Sequence, residues 1–429
     1  MAEGKIIVGV DVGTGKTVSI IAKVEDGVVN VLGVSEVESL GIKKGQIVNI
    51  KEAVECINGS LDAAERMAGY SVAHVVASIG GSHIESQNSK GVVAVSNPLS
   101  EIVQSDLDRV IDAAKAVSLP SSRQIIHVIP RSYSVDGQEG IKDPIGMSGI
   151  RLEVDTHIIS GSVTSLSNLE KAFSQVGIDL DAVCYSGYVS SIAVLSDTER
   201  ELGVVLVDLG AGTTDIAIYV EGSLSHSSVI PVGARHITND LAIGLRISLE
   251  SAEKIKLFLS RPPKKSKEED LENYSSKVVM TDEIDLSPLG LQEDVRKASK
   301  KTLVEGIIRP RLNEIFTMVG LEIKRSGFGG QTPAGMVITG GGALTVGSVN
   351  AAKRALAMPV RIGYPVNIKG IIDEIQEPSF ATAIGLAMYG ATIKTPSSLP
   401  FGISLPQIQF FGFNKVFSRV FKFLKSFLP

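Results

Sequence analysis

Two short runs carry the residue types that hold phosphate: Asp11-Val-Gly-Thr-Gly-Lys-Thr17 and Asp208-Leu-Gly-Ala-Gly-Thr-Thr-Asp215. Each begins at the end of an apolar segment, residues 8–11 and 204–207, that reads as a buried strand. A glycine turn leaves backbone N–H groups with no Cβ in front of them, so phosphate oxygens can come close. The candidate phosphate ligands are Gly13, Thr14, Gly15, Lys16 and Thr17 in the first run. In the second they are Gly210, Ala211, Gly212, Thr213 and Thr214. The four threonine hydroxyls add donors. Asp11 and Asp208, at the strand ends, can hold a Mg²⁺ ion through its waters, since Mg²⁺ binds few carboxylates and dehydrates reluctantly. Two such turns facing each other would clamp a triphosphate from both sides. No residue is assigned as a catalytic base.

Competing motifs fail on single residues. A Walker A loop ending at Gly15-Lys16-Thr17 needs Gly at position 10, where Val10 stands. A dinucleotide fingerprint needs a third Gly, but Val18 and Asp215 occupy those places. Either turn alone is as well explained by a structural β-hairpin, and Lys16 by a solvated turn position. Both turns together with a third glycine turn, Thr339-Gly-Gly-Gly342, argue against that bland reading.

The elements around the turns repeat. Residues 18–24 and 28–34 read as strands joined by the Glu25-Asp26-Gly27 turn. Residues 216–220 and a run to Ile230 read the same way around Glu221-Gly222. Strand, Asp-x-Gly-x-Gly, strand, turn, strand thus occurs twice, and an internal duplication is the economical explanation. Between the copies, residues 101–117 have helical spacing, with Ser100 or Ser105 as cap. Residues 92–95 and 125–129 read as strands beside that helix, so residues 84–160 form a small α+β insertion. Helices are expected over 168–176, over the small-residue segments 186–195 and 381–390, and over 248–260. A long helix over 303–319 should kink or restart at Pro310. Residues 261–270 read as an exposed loop and 336–338 as a short strand.

Composition sets the class. At 429 residues the chain needs roughly two to four domains or subdomains. With 44% hydrophobic and 21% charged residues it is no disordered chain. A net charge of −5 leaves no nucleic-acid footprint. Two Cys and six scattered His exclude a disulfide framework and a Cys- or His-based metal site, so a reducing cytoplasm is expected. Lys5 precedes only a short apolar run that Asp11 interrupts, so no secretory leader is expected.

The C-terminal end differs from the body. Eight of the 13 Phe lie in the last 29 residues, and from Thr395 onward there is no Asp or Glu. Four cations make that stretch +4 and leave the body at −9. Three Pro in residues 392–411 mark a linker. On a helix over 412–428, Phe413, Val416, Phe417, Val420, Phe421, Leu424, Phe427 and Leu428 fall on one stripe. Arg419, Lys422 and Lys425 flank it with Lys415. About 24 Å of helix is too short for a hydrocarbon core of roughly 30 Å, so this helix should lie in an anionic lipid surface. Eight half-buried apolar side chains supply several kcal/mol, at about 1.5–3 kcal/mol for each full burial.

The ordered set of three glycine turns resembles the superfamily of actin, sugar kinases and heat-shock chaperone ATPases. The implied fold is α/β: duplicated actin-like, ribonuclease H-like ATPase domains facing a nucleotide cleft, with a small inserted subdomain and a C-terminal amphipathic helix. The implied ligands are ATP and Mg²⁺. Glu253 would then bond the ribose, Lys256 would lie near the purine, and Gly340, Gly341 and Gly342 would leave room for the adenine. The bland alternative for Glu253 and Lys256 is a surface i, i+3 pair.

Within that superfamily the chain resembles the FtsA family of actin-like bacterial cell-division proteins. The likeness rests on Gly41-Ile-Lys-Lys-Gly-Gln-Ile-Val-Asn49, Ala193-Val-Leu-Ser-Asp-Thr-Glu-Arg-Glu-Leu-Gly203, Val229-Ile-Pro-Val-Gly233, Ile308-Arg-Pro-Arg311 and the tail. The resemblance implies a first domain (1A) of residues 1–83 and 161–200 and an insertion (1C) of 84–160. It implies a second domain (2A) of 201–227 and 307–391, with subdomain 2B over 228–306. The implied partners are the FtsZ C-terminal peptide at 2B, further copies of the chain in a filament, anionic membrane lipid and later division proteins. The implied place is the cytoplasmic face of the membrane at the division site. Two departures stand out. Chaperones and the rod-shape actins of that superfamily carry a water-orienting acid at the start of the first connecting helix; the nearest equivalent here is Gly187, with no carboxylate beside it, which predicts at most slow ATP hydrolysis. Residues 290–296 lack an Arg-Pro-Pro-Arg-like run. The alternatives are a small-molecule kinase of the same fold or an actin-like scaffold of a type IV pilus assembly. The lipid-seeking tail is unexplained by the first and argues against the second.

Overall fold

The computed structural model describes residues 4–96, 101–261, 282–370 and 375–393. The chain divides into two compact units, Met1–Thr392 and Ile393–Pro429. The proposed linker beyond Ile393 and the lipid-binding helix, with Phe413 to Leu428, lie outside the described residues. So do residues 262–270 of the expected loop.

The first sheet is built on β1 (Lys5–Val12), β2 (Lys16–Glu25) and β3 (Val28–Glu38), each antiparallel to the next. β6 (His74–Ile79) runs parallel to β1, and β11 (Asp179–Tyr185) parallel to β6. The second sheet repeats this plan. β12 (Val204–Leu209), β13 (Thr214–Val220) and β14 (Ser223–Ile230) are antiparallel neighbours. β17 (Met336–Thr339) and β18 (Val360–Ile362) add parallel strands on the β12 side. Both sheets therefore share one strand order and one mix of directions, which is the duplication read from the sequence. The first sheet adds β19 (Ile368–Gly370) beside β3. β12 and β13 are buried at every position, as central strands covered on both faces must be.

A third sheet, in the order β7-β10-β8-β9, sits between the copies in sequence. It consists of β7 (Glu85–Ala94), β8 (Arg123–Val135), β9 (Gln138–Ile141) and β10 (Arg151–Ser162). Its own small core includes Ile102, Val110, Leu152 and Val154, under α2 (Gln104–Lys115). This helix starts later than the spacing suggested. Neither expected serine caps it: Ser105 lies inside its first turn, and Ser100 lies outside the described residues. The Asp106 carboxylate accepts the Val103 N–H at 3.2 Å instead.

Among the other expected helices, α3 (Val163–Val176) differs at its start and the long helix at its end, which reaches Ser326 rather than 319. α3 begins five residues earlier, capped by Ser162, and ends at Gly177 in the left-handed conformation. The long helix restarts at Pro310. A wide π turn, Thr302–Ile308, precedes α8 (Arg309–Ser326), whose first turn tolerates a residue without an N–H. The remaining elements are the β4–β5 pair (Ile42–Lys43 and Gln46–Ile47), α1 (Ile50–Ala68), α5 (Asp197–Leu202), α6 (Arg235–Leu245) and α7 (Leu249–Ser260). To these add the β15–β16 pair (Glu283–Asp285 and Lys297–Ser299) and α9 (Ser348–Leu356). Among the described residues no helix is long and apolar enough to cross a membrane.

Two small-residue helices join the halves. α4 (Ser186–Val194) follows the first sheet and packs on β12 and β13. α10 (Ala381–Thr392) comes late in the chain and packs on β1 and β2. The two helices press together where Gly385 meets the Val189 carbonyl: a Cβ on Gly385 would lie 1.9 Å from that oxygen. Gly385→Val should therefore destabilise the protein by about 1–3 kcal/mol or more, measured by urea unfolding. Gly59, inside α1, has nothing within 4 Å of its missing Cβ, so Gly59→Ala should stabilise by up to about 1 kcal/mol.

Candidate functional site

The two Asp-x-Gly-x-Gly runs are hairpin turns of matching geometry. Gly13 N–H donates to the Lys16 carbonyl at 3.2 Å, and Gly210 N–H donates to the Thr213 carbonyl at 3.0 Å. Their tips meet. A Cβ on Gly15 would lie 2.8 Å from Ala211 Cβ, and one on Gly212 would lie 2.6 Å from Thr14 Cγ2. Close approach, rather than a left-handed backbone, is what demands glycine here. Among the described residues the N–H groups of Thr14, Gly15, Ala211 and Gly212 find no acceptor. Four backbone donors are thus unspent where the halves touch. The β4–β5 loop props the first turn, since Gly45 N–H donates to Thr14 Oγ1 at 2.9 Å.

The other expected phosphate ligands are engaged within the protein. Thr17 lies on β2 rather than in the turn, buried, with its hydroxyl 2.8 Å from that of Ser39. Thr213 donates to Asp215 Oδ2 at 3.1 Å, and Thr214 to the Val232 carbonyl at 2.7 Å. Lys16 pairs with Glu36 at 2.6 Å, donates to Ser379 Oγ at 3.2 Å and lies 4.0 Å above the Phe380 ring.

Three carboxylates gather behind the tips. Burial and the neighbouring charge of Asp11 push Asp208 up to about 6. Burial, then Asp208, then Asp11 raise Asp215 well above the usual range. Burial also raises Asp11, against a hydrogen bond from Ser78 and the charge of Lys16. Asp215 Oδ1 is buried with no partner. Such a set of oxygens calls for a cation. Among the described residues no three His, Cys, Asp or Glu side chains are placed to hold a metal directly. The carboxylates suit an ion bound through its own water shell, as hydrated Mg²⁺ is. The unspent amides and the acids together fit a Mg²⁺–triphosphate.

Two positioning residues escaped the sequence reading. Ser78 Oγ donates to Asp11 Oδ1 at 2.7 Å and accepts the Val12 N–H at 3.0 Å. Its one signal was a polar residue inside the apolar run 75–79. Thr382 donates to Asp208 Oδ2 at 3.1 Å, and nothing in the small-residue helix marked it.

The third glycine turn follows β17 and leans on the second. Gly342 N–H donates to the Leu209 carbonyl at 2.8 Å. Gly340 has φ +82°, and a Cβ there would sit 2.2 Å from Asp208 Oδ1. Gly341 is open apart from Ser379 Cβ at 3.8 Å. Glu253 and Lys256 pair with each other at 2.7 Å, and both bond the Thr238 hydroxyl, at 2.5 and 3.0 Å. Among the described residues no hydrogen bond joins that pair to Gly340, Gly341 or Gly342. At Gly187 there is no room for an acid: a Cβ would lie 2.7 Å from the Tyr185 hydroxyl.

The acid cluster has a pH signature in metal-free protein. Asp208 titrates near 6 when folded, above its ordinary 3.8. Its contribution to stability is therefore whole below pH 4 and is lost as pH rises through 6. Asn stays neutral throughout. Asp208→Asn should gain on the parent between pH 4 and 7.5, reaching roughly 1–3 kcal/mol, in thermal melts with EDTA. A gap that does not change with pH would mean that burial and the neighbouring Asp11 do not raise Asp208.

Comparison with known proteins bears on the family and the fold. Residues 81–160 match the family model described as the SHS2 domain inserted in FTSA, and residues 205–385 match that of cell division protein FtsA. Cell division protein FtsA of Pseudomonas aeruginosa is 39% identical over 388 residues, covering 90% of this chain and 89% of that protein. Among solved structures, the PilM–PilN type IV pilus biogenesis complex has a TM-score of 0.63 at 14% identity, covering 90% of this chain and 98% of that one. MreB 5 of Spiroplasma citri bound to AMPPNP has a TM-score of 0.50 at 13% identity, covering 89% and 94%. The structural neighbours share the actin-like fold alone. At 39% identity over nine-tenths of the chain the likeness reaches past the fold, and this chain belongs to the FtsA family of cell division proteins.

Proposed function

We propose that this cell-division protein binds ATP with Mg²⁺ between its duplicated halves, polymerises, and tethers FtsZ to the inner face of the membrane. The observation that carries the nucleotide reading is the meeting of the two glycine hairpins, with four unspent amides near two buried carboxylates, Asp208 and Asp215, and the half-buried Asp11. Such amides receive phosphate oxygens at little reorganisation cost. When bound, Mg²⁺ supplies the positive charge that lets phosphate approach Asp11 and Asp208. The neighbour MreB 5, of the same fold, was solved with AMPPNP. The hairpin tips touch, so a triphosphate enters only as the halves part.

Hydrolysis should be slow, because Tyr185 fills the space beside Gly187 and leaves no carboxylate there to orient water. Nucleotide then serves mainly to hold the halves in one relative setting, which further copies of the chain recognise in a filament. Glu253, Lys256 and the Gly340–342 turn are the proposed adenosine contacts. The FtsZ C-terminal peptide docks on residues 228–306, and later division proteins bind the assembled filament. The Phe-rich stripe of residues 412–428, with its four cations and no acid, supports insertion into anionic lipid. The negative body is held off the same surface.

Electron microscopy on an anionic lipid monolayer with ATP and Mg²⁺ tests this reading. The full chain should form filaments on the monolayer, and a truncation ending at Leu405 should leave it bare. Equal binding by both proteins, or a bare monolayer with the full chain, would overturn the tether and favour a kinase of the same fold.

A further inference from the structure

β14 is the edge strand of the second sheet, and an edge normally offers free N–H and C=O groups. Here side chains of the third sheet occupy them. Ser86, on β7, donates to the Ser227 carbonyl at 2.7 Å and accepts the Ser227 N–H at 3.1 Å, so one hydroxyl does what a neighbouring strand would do. Asn88 donates to the Ser225 carbonyl at 3.2 Å. Arg131, on β8, donates through Nε to Ser225 Oγ at 3.1 Å, and its carbonyl accepts from Ser223 Oγ at 2.8 Å. His157, on β10, bridges Asn88 Oδ1 at 2.7 Å and Ser227 Oγ at 3.0 Å. Ser225, Ser227 and His157 are each no more than 2% exposed, so water does not compete for these bonds.

The same strand is held a second time. The Tyr185 hydroxyl, at the end of β11, lies 3.1 Å from the Ile216 carbonyl and 2.9 Å from that of Ser228. Its single proton serves both oxygens. Apart from the His157–Asn88 bond, each of these bonds joins a residue before β12 to a residue on β13 or β14, after it. Separation of the hairpin tips would turn one part against the other and would load these bonds.

We propose that the third sheet is a clasp on β14 that restrains opening of the cleft, so that exchange of nucleotide waits on release of the clasp. The exchange step rests on the nucleotide reading above; the clasp itself does not. Its chemistry is replacement of dry protein–protein hydrogen bonds by water, which costs little once the edge is wet and much while it is dry.

The test uses the full chain in three variants: Ser86→Ala with Asn88→Ala, Tyr185→Phe alone, and Ser86→Thr as the conservative control. Spin labels go on cysteines placed at exposed Asn58, in α1, and Lys353, in α9; the native Cys56 and Cys184 are buried. Without nucleotide, the double variant and Tyr185→Phe should broaden the distance distribution between the labels. Ser86→Thr should keep the parent's. Dissociation of a fluorescent ATP analogue with Mg²⁺ should quicken about tenfold in the first two variants and not in the third. An unchanged distance distribution in both loosened variants overturns the clasp. A broadened distribution with unchanged dissociation overturns its control of exchange. If the parent binds no analogue while the distributions broaden, the clasp stands and the nucleotide reading falls. Tyr185→Phe removes one oxygen only, so it decides the matter if the double variant unfolds.

Discussion

The architecture depends on one close contact between two helices that carry almost no side chain at the place where they cross. α4 leaves the first sheet and packs on the second; α10 does the reverse. At the crossing, the Gly385 Cα faces the Val189 carbonyl with no space for a methyl group. A larger residue would push the helices apart and move each sheet relative to the other. Packed interiors transmit such displacements rather than absorb them. The meeting of the hairpin tips, with Gly15 on Ala211 and Gly212 on Thr14, follows from that seam.

The seam also places the charges. Asp11 and Asp208 end equivalent strands of the duplicated sheets, so bringing the strand ends together necessarily brings two carboxylates together, with Asp215 beside them. Burying like charges opposes folding. The protein relieves this only in part, with Ser78 on Asp11, Thr382 on Asp208 and Thr213 on Asp215. It leaves Asp215 Oδ1 without a partner. Buried acids perturbed in this way are what supports the proposed site for a cation and its anionic ligand. Gly340 belongs to the same arrangement, because any side chain there would displace the Asp208 carboxylate.

Much of this was legible in the residues. Glycine and aspartate at fixed offsets after an apolar run announce a tight hairpin at a strand end, and two copies announce a duplicated fold. Local chemistry decides those features, so they survive without knowledge of the tertiary structure. Element starts were less legible. α2 is opened by Asp106 reaching back to Val103, a bond made by an interior residue of the helix, while the nearby serines misled. α3 runs five residues further toward its N-terminus because Ser162, at the end of β10, caps it. Thr17 looked like part of a turn, yet strand pairing with Val37 carries it into β2 and turns its hydroxyl to Ser39.

The sequence by itself determined the fold class, the two hairpins, the residues at their tips and the contrast between an acidic body and a basic, Phe-rich end. These depend on neighbours along the chain, on period and on net charge. Only the tertiary structure decided which donors remain unspent, which hydroxyls steady the acids, that Tyr185 fills the space beside Gly187, and that serines of β14 are held by Ser86, Asn88 and His157. Ser78 with Asp11, Thr382 with Asp208, and Ser86 and His157 with Ser227 lie 67 to 174 residues apart in the chain. Contacts of that separation leave no period or motif to read, because they are set by which surfaces the packed sheets bring face to face.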